Sequence, residues 1–306
     1  MPGKDAHKDA HNEKTEAEQL NRKGDLSMKI GVIDVGGGLR GSYTAGVYDW
    51  CQDNGITFDY CMGISAGSAN LSSFLAGQRG RNLKFYTEYN LRDESMGIKH
   101  FIKDRNFVDL DYIYGDMSYS YGECPLDYDA LMANPAEFTI VATDAETGKP
   151  YYFTKNDLKR DELAPIKASS CVPGVNQPYP VNGRLYYDGG MGDPIPVEKC
   201  FEDGCDKVVL LLTRPKDYER TPDKDQLIAS LIRRKYPGGA EAISKRAIRY
   251  NTQLWLAKQY EKQGKVLIVA PDNIGGMSTL TKDPETIEGL YHKGYHDAEA
   301  IRDYVK

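Results

Sequence analysis

Gly63-Ile64-Ser65-Ala66-Gly67 puts a serine where it could act as a nucleophile. A serine hydroxyl attacks a carbonyl only if it is exposed, oriented and relieved of its proton. A sharp strand-to-helix turn lifts such an Oγ clear of a sheet, and the crowded turn requires small neighbours. Gly63, Ala66 and Gly67 meet that requirement, and the Ala66 N–H would face the oxyanion formed on attack. Taken alone, the pattern also fits a serine that merely caps a helix.

Upstream lies Gly36-Gly37-Gly38-Leu39-Arg40-Gly41. Glycines let a backbone approach a ligand closely, and a following helix offers free N–H groups and partial positive charge. Such a loop can hold a phosphate or an oxyanion. Glycines 36, 38 and 41 also match G-x-G-x-x-G, weak evidence for dinucleotide binding. That alternative needs an acidic residue at the end of the second strand, whereas Asp59 falls near its start. Downstream lies Asp188-Gly189-Gly190. By itself Asp-Gly reads as a turn; following the other two stretches, it is a candidate base.

The histidines separate two mechanisms. His7 and His11 fall in a polar leader, leaving His100, His292 and His296. His292 and His296 come last in the chain, as a Ser-His-Asp triad on an α/β-hydrolase fold would require. Both sit on an expected polar helix, however, where solvent-facing side chains one turn apart are the simpler account. A carboxylate is then the better base, because an aspartate within hydrogen-bond reach can accept the serine proton directly.

Elements that could position these groups follow from the hydrophobic pattern. Residues 29–35 form a β-branched run ending in glycines, as a buried parallel strand does. A helix is expected from about Gly41 to Asn54-Gly55, burying Ala45, Val47, Trp50 and Cys51. Residues 58–62 predict a second strand and 66–75 a second helix, the rhythm of a doubly wound sheet. Further strands are expected at 137–142, 150–153, 179–181, 184–187, 207–213 and 265–270, with a hairpin turn at Asn182-Gly183. Helices are expected at 226–234, 239–263 and 284–305, and the tyrosine-rich 79–134 reads as helix and loop.

Composition sets the class. Forty per cent apolar and 27% charged residues suit one globular domain, and a net charge of -6 argues against nucleic-acid binding. The six cysteines lack metal-ligand spacing and read as reduced, buried thiols. No apolar run is long enough to span a membrane. Residues 1–27 carry almost no large apolar side chains and read as a flexible leader without a secretory signal.

The ordered set resembles the patatin-like phospholipase family, in its bacterial single-domain form. Gly36 to Gly41 resembles that family's oxyanion loop, Gly63 to Gly67 its nucleophile elbow, and Asp188-Gly189-Gly190 its base motif. Ala142-Thr143-Asp144 with Thr147-Gly148, Ala168 to Pro173, and Asp193-Pro194 agree, although Cys171 stands where a small residue is expected. The resemblance covers about residues 30–213. It implies a three-layer α/β sandwich around a mostly parallel sheet and a Ser65–Asp188 dyad needing no metal or cofactor. It also implies an oxyanion hole from the amides of Gly36, Gly37, Gly38 and Ala66, and a lipid or other acyl-ester substrate. Arg40 would face a phosphate or carboxylate, or be a solvated surface side chain. The alternatives are a soluble carboxylesterase or thioesterase, and a non-catalytic acyl-binding protein.

Residues 214–306 form a helical part of uncertain role. Within them, 227–265 carry nine Lys/Arg against two Glu. A basic helix bearing Ile243, Leu254, Trp255 and Leu256 could rest on an anionic membrane, or simply pack on the sheet with a charged outer face. The expected location is cytoplasmic, with peripheral membrane contact as an option.

Overall fold

A computed structural model describes residues 28–306; the expected leader, 1–27, lies outside the described residues. Strand β1 (Ile30–Asp34) leads through the glycine loop and a 3-10 turn into helix α1 (Ser42–Asp53). Strand β2 (Tyr60–Ile64) leads through Ser65 into α2 (Ala66–Leu75). The pair β1–β2 is parallel, as are β2 with β3 (Glu137–Asp144) and β1 with β7 (Lys207–Leu211). Strand β8 (Val266–Val269) extends this parallel part beyond β7. On the opposite edge of β3, β4 (Pro150–Thr154) runs antiparallel; β6 (Arg184–Asp188), also antiparallel to β3, continues the β2 edge beyond Ile64, and β5 (Tyr179–Val181) pairs with β6. The order β5-β6-β3-β2-β1-β7-β8 gives one mixed, mostly parallel sheet.

Alternation along the strands builds the layers. Val32, Cys61, Val209 and Leu211 face one way, against α1, α2 and α12 (Pro284–Asp297). Ile33, Met62, Val208 and Leu210 face the other, against α8 (Val197–Glu202) and α11 (Arg246–Lys262). Both faces are apolar because both are covered. The remaining helices are α3 (Arg81–Thr87), α4 (Ile98–Asp104), α5 (Tyr128–Ala133), α6 (Ala164–Ser169), α7 (Gly189–Gly192), α9 (Asp223–Ile232), α10 (Pro237–Ser244) and α13 (Ile301–Tyr304).

Several expected boundaries move; the helix expected over 284–305 ends as α12 at Asp297 and gives way to a 3-10 turn (Ala298–Ala300) and α13. The second strand starts at Tyr60 rather than Phe58, because Phe58 turns into the core and Asp59 Oδ2 accepts the Ile30 N–H at 2.8 Å. The single helix expected over 239–263 is two, α10 and α11, broken at Lys245. Helix α12 lies tight on α1. A Cβ on Gly294 would collide with the Tyr43 carbonyl, and one on Gly46 with that of Tyr291. Five of the six cysteines are buried and all are free. Among the described residues no helix is long and apolar enough to cross a membrane.

Candidate active site

Sheet register brings the serine and the aspartate level with each other. Ile64 pairs with Val141, and one residue further along β3, Ala142 pairs with Asp188. β4 pairs along the whole of residues 139–143, so β6 follows β2 along the same edge of β3, and Ser65 leaves β2 right beside the point where Asp188 ends β6. Ser65 has φ 55° and ψ -132°, a conformation few non-glycine residues adopt. Its neighbours hold it there. The Ser65 N–H donates to Ser169 Oγ at 2.8 Å, and Ser169 Oγ donates to the Val141 carbonyl at 2.6 Å. A Cβ at Gly63 would stand 2.5 Å from the Ser68 Cα, and one at Gly67 would strike the Asp34 carbonyl. The elbow needs both glycines.

Asp188 is pinned through its backbone. Its N–H donates to the Cys171 carbonyl at 2.8 Å, and its carbonyl accepts from Thr143 Oγ1 at 2.8 Å. Its Oδ1 accepts the Gly190 N–H at 2.8 Å. A Cβ on Gly189 would clash with the Val141 carbonyl. Burial pushes the Asp188 carboxyl above its ordinary 3.8, while the adjacent Ser65 hydroxyl, the Gly190 N–H and the nearby Arg246 and Arg220 hold it down. The last segment of the chain steadies the turn after Asp188. Arg249 on α11 donates to the Met191 carbonyl, and Gln253 on α11 bridges Asp193 Oδ1 and the Ile195 N–H.

The glycine loop lies beside the elbow. A Cβ on Gly36 would stand 3.1 Å from the Ala66 N, which shows how closely loop and helix α2 approach. The Gly36 N–H itself donates to Asp34 Oδ1 at 2.9 Å. That bond engages one of the three loop amides expected to line an oxyanion hole. Asp34 is fully buried and its carboxyl is pushed up to about 6 by desolvation, partly offset by the Gly36 N–H. Gly41 packs under the Tyr86 hydroxyl.

Arg40 is not a surface arginine. It is 6% exposed, donates from Nη1 to Thr279 Oγ1 at 3.0 Å, and leaves Nε without a partner. Desolvation and the neighbouring Arg214 bring it down to about 10.

Ser65, Asp188, Gly36, Gly37, Gly38, Ala66 and Arg40 line one cavity of about 650 Å³. Apolar side chains such as Phe85, Leu110, Ile113, Leu126 and Ile166 line much of it. No histidine lines this cavity among the described residues. His292 and His296 are exposed on α12, and His100 stands 3.5 Å from Asp109. Asp59 sits at the start of β2, at the far end of the strand from the loop, so the ribose contact of a dinucleotide site is missing. Sequence reasoning gave no role to Ser169, Arg249 and Gln253. The only local signal was the small-residue run at 168–173, which holds Ser169.

Two family models match the chain: patatin-like phospholipase at residues 35–201 and a domain of unknown function, DUF6363, at 236–305. The chain belongs to the patatin-like phospholipase family. It is 32% identical over 199 residues to the uncharacterized protein YjjU of Escherichia coli K12, covering 63% of this chain and 54% of that one. It is 28% identical over 185 residues to the uncharacterized NTE family protein Rv1063c of Mycobacterium tuberculosis H37Rv, covering 58% and 47%. The chain thus spans about half the length of these curated relatives. VipD from Legionella pneumophila aligns in structure at 12% identity with a TM-score of 0.46, over 90% of this chain and 67% of that one.

Proposed function

We propose that the chain is a serine acyl hydrolase that cleaves carboxylic esters of lipids through Ser65 and Asp188. The observation that carries this reading is a serine held at φ 55° on a strand-to-helix turn, level with a buried carboxylate in one cavity. Ser65 Oγ attacks the ester carbonyl as its proton passes to Asp188. The N–H groups of Gly37, Gly38 and Ala66 receive the oxyanion, a contribution of about 2.7–4 kcal/mol per donor. Collapse breaks the ester C–O bond, and the leaving alkoxide takes the proton from Asp188. Water then attacks the acyl-serine, gives a proton to Asp188, and releases the acid as Ser65 Oγ regains that proton.

The apolar lining suits a long acyl chain. A fluorophosphonate probe should label Ser65, and a panel of phospholipids, long-chain thioesters and short-chain esters run beside Ser65→Ala identifies the substrate class. Preference for short soluble esters would make the protein a carboxylesterase, and preference for thioesters a thioesterase. Absence of labelling and turnover together would leave an acyl-binding role.

Peripheral membrane contact is part of this proposal in a narrower form. Leu254 is a core residue of α11, as Ile243 is of α10, so α11 packs on the sheet and exposes only Ile248 and Trp255 among its larger apolar side chains. Equal sedimentation with anionic and neutral vesicles would remove the electrostatic part of that contact.

A further inference from the structure

The wall of the cavity built after residue 212 carries more positive charge than its own carboxylates balance. Arg214, Arg220, Lys224 and Arg246 line it together with Arg40. The carboxylate at their centre is Asp225, which is 0% exposed. Arg220 grips it from Nε at 2.9 Å and Nη2 at 3.0 Å, and Arg246 grips it from Nε at 3.1 Å and from Nη2. Arg40 and Arg214 have no carboxylate partner among the described residues. Asp225 thus pairs with two of the four guanidinium groups, and even with Asp188 counted the cavity lining holds more cations than carboxylates, an excess that an anion would balance.

Packing fixes these groups in place. Arg214 lies over the Tyr218 ring at 4.2 Å, and Tyr218 stands edge-on to Tyr250 of α11. Asn251 accepts the Arg220 N–H at 2.9 Å and donates to its carbonyl at 3.1 Å. The break at Lys245 starts α11 at Arg246, beside Asp225. Arg40, with its unpartnered Nε, lies against Gly37, where a Cβ would stand 3.0 Å from its Nη2. The cationic wall thus meets the glycine loop.

We propose that Arg220 and Arg246, ordered around Asp225, together with Arg214 on the Tyr218 ring and with Arg40, form a phosphate-binding subsite that selects lipid esters bearing a phosphate group. The inference rests on the Ser65–Asp188 reading. Guanidinium forks match the paired oxygens of a phosphate, and a phosphate carries the charge that balances this excess. Residues outside the stretch matched by the phospholipase model supply three of the four arginines. On this reading the C-terminal segment sets headgroup preference.

The test compares kcat/KM for a phosphatidic acid and for a diacylglycerol with the same acyl chains, in the same neutral detergent micelles. Wild-type protein should favour the phosphate-bearing ester by about tenfold or more, and Arg214→Gln should lower that ratio about tenfold, as expected for one charge-assisted contact. Arg214→Lys should restore part of it. Equal wild-type rates on the two lipids, or a proportional fall of both in Arg214→Gln, overturns the subsite. If no ester turns over and Ser65 resists the fluorophosphonate, the hydrolase reading fails and calorimetry tests the subsite alone. Binding of glycerol 3-phosphate that weakens in Arg214→Gln then supports it. No binding, or inorganic phosphate binding as tightly as glycerol 3-phosphate, overturns headgroup recognition.

Discussion

The Ser65 backbone N–H is held by the Ser169 hydroxyl at 2.8 Å, and that hydroxyl in turn donates to the Val141 carbonyl at 2.6 Å. One side chain thus ties the elbow to β3, the strand that also carries Asp188 through β6. Ser169→Ala removes both links and leaves a buried N–H and C=O unpaired. A loss of about 1–3 kcal/mol in urea unfolding is expected, with reduced ester turnover. Unchanged stability would mean that the turn holds Ser65 without Ser169.

Ser65→Ala and Asp188→Asn should each lower ester hydrolysis by about 10⁴-fold, in line with loss of a nucleophile or its base. Changing His292 and His296 together to alanine should leave the rate unaltered, since both are exposed on α12. Loss of activity in the double histidine variant, with circular dichroism unchanged, would move the base from Asp188 to a histidine.

Asp188 must be ionised to accept a proton, and burial raises it above 3.8 while Arg246 and Arg220 oppose that rise. The kcat/KM profile should therefore climb with pH along an acid limb set above the ordinary carboxylate value. Arg246→Gln removes one opposing cation, so the limb should move to higher pH. A limb that stays in place or moves down would separate Arg246 from the base.

Asp34 offers a stability test apart from catalysis. Its folded value of about 6 lies above the ordinary 3.8. Its contribution is thus fully present below the unfolded value and is lost as pH rises through the folded one. An asparagine in its place would keep an acceptor for the Gly36 N–H and never ionise. Relative to wild type, Asp34→Asn should gain roughly 2–3 kcal/mol between pH 4 and pH 8. Parallel unfolding curves across that range would refute the burial argument.

Much of the fold was legible because its signals are local. The run at 29–35, the helix at 66–75 and the Asn182-Gly183 turn, with φ of 49° and 77°, lie where pattern and turn chemistry put them. Ser65 was legible for the same reason, since the elbow is written in five consecutive residues. Asp188 needed company, because nothing within 184–190 says which strand lies beside it. The roles of Ser169, Arg249 and Gln253 depend on contacts 104, 58 and 60 residues away, which periodicity does not encode. The break at Lys245 was hidden because both flanks are good helix sequence. The engagement of the Gly36 amide by Asp34 was hidden too, because a strand aspartate gives no hint of where its carboxylate turns.

The bare crossing of Gly294 over Tyr43, and of Gly46 beneath Tyr291, bears on how relatives could be recombined. Each glycine fits a backbone contributed by the other matched region, so neither surface can be swapped alone. A chimera taking residues 236–305 from one relative and 35–201 from another should fold only if both parents keep this pair of gaps in register. Gly294→Ala offers the smallest version of that mismatch, with an expected loss of about 1–3 kcal/mol by thermal or urea unfolding.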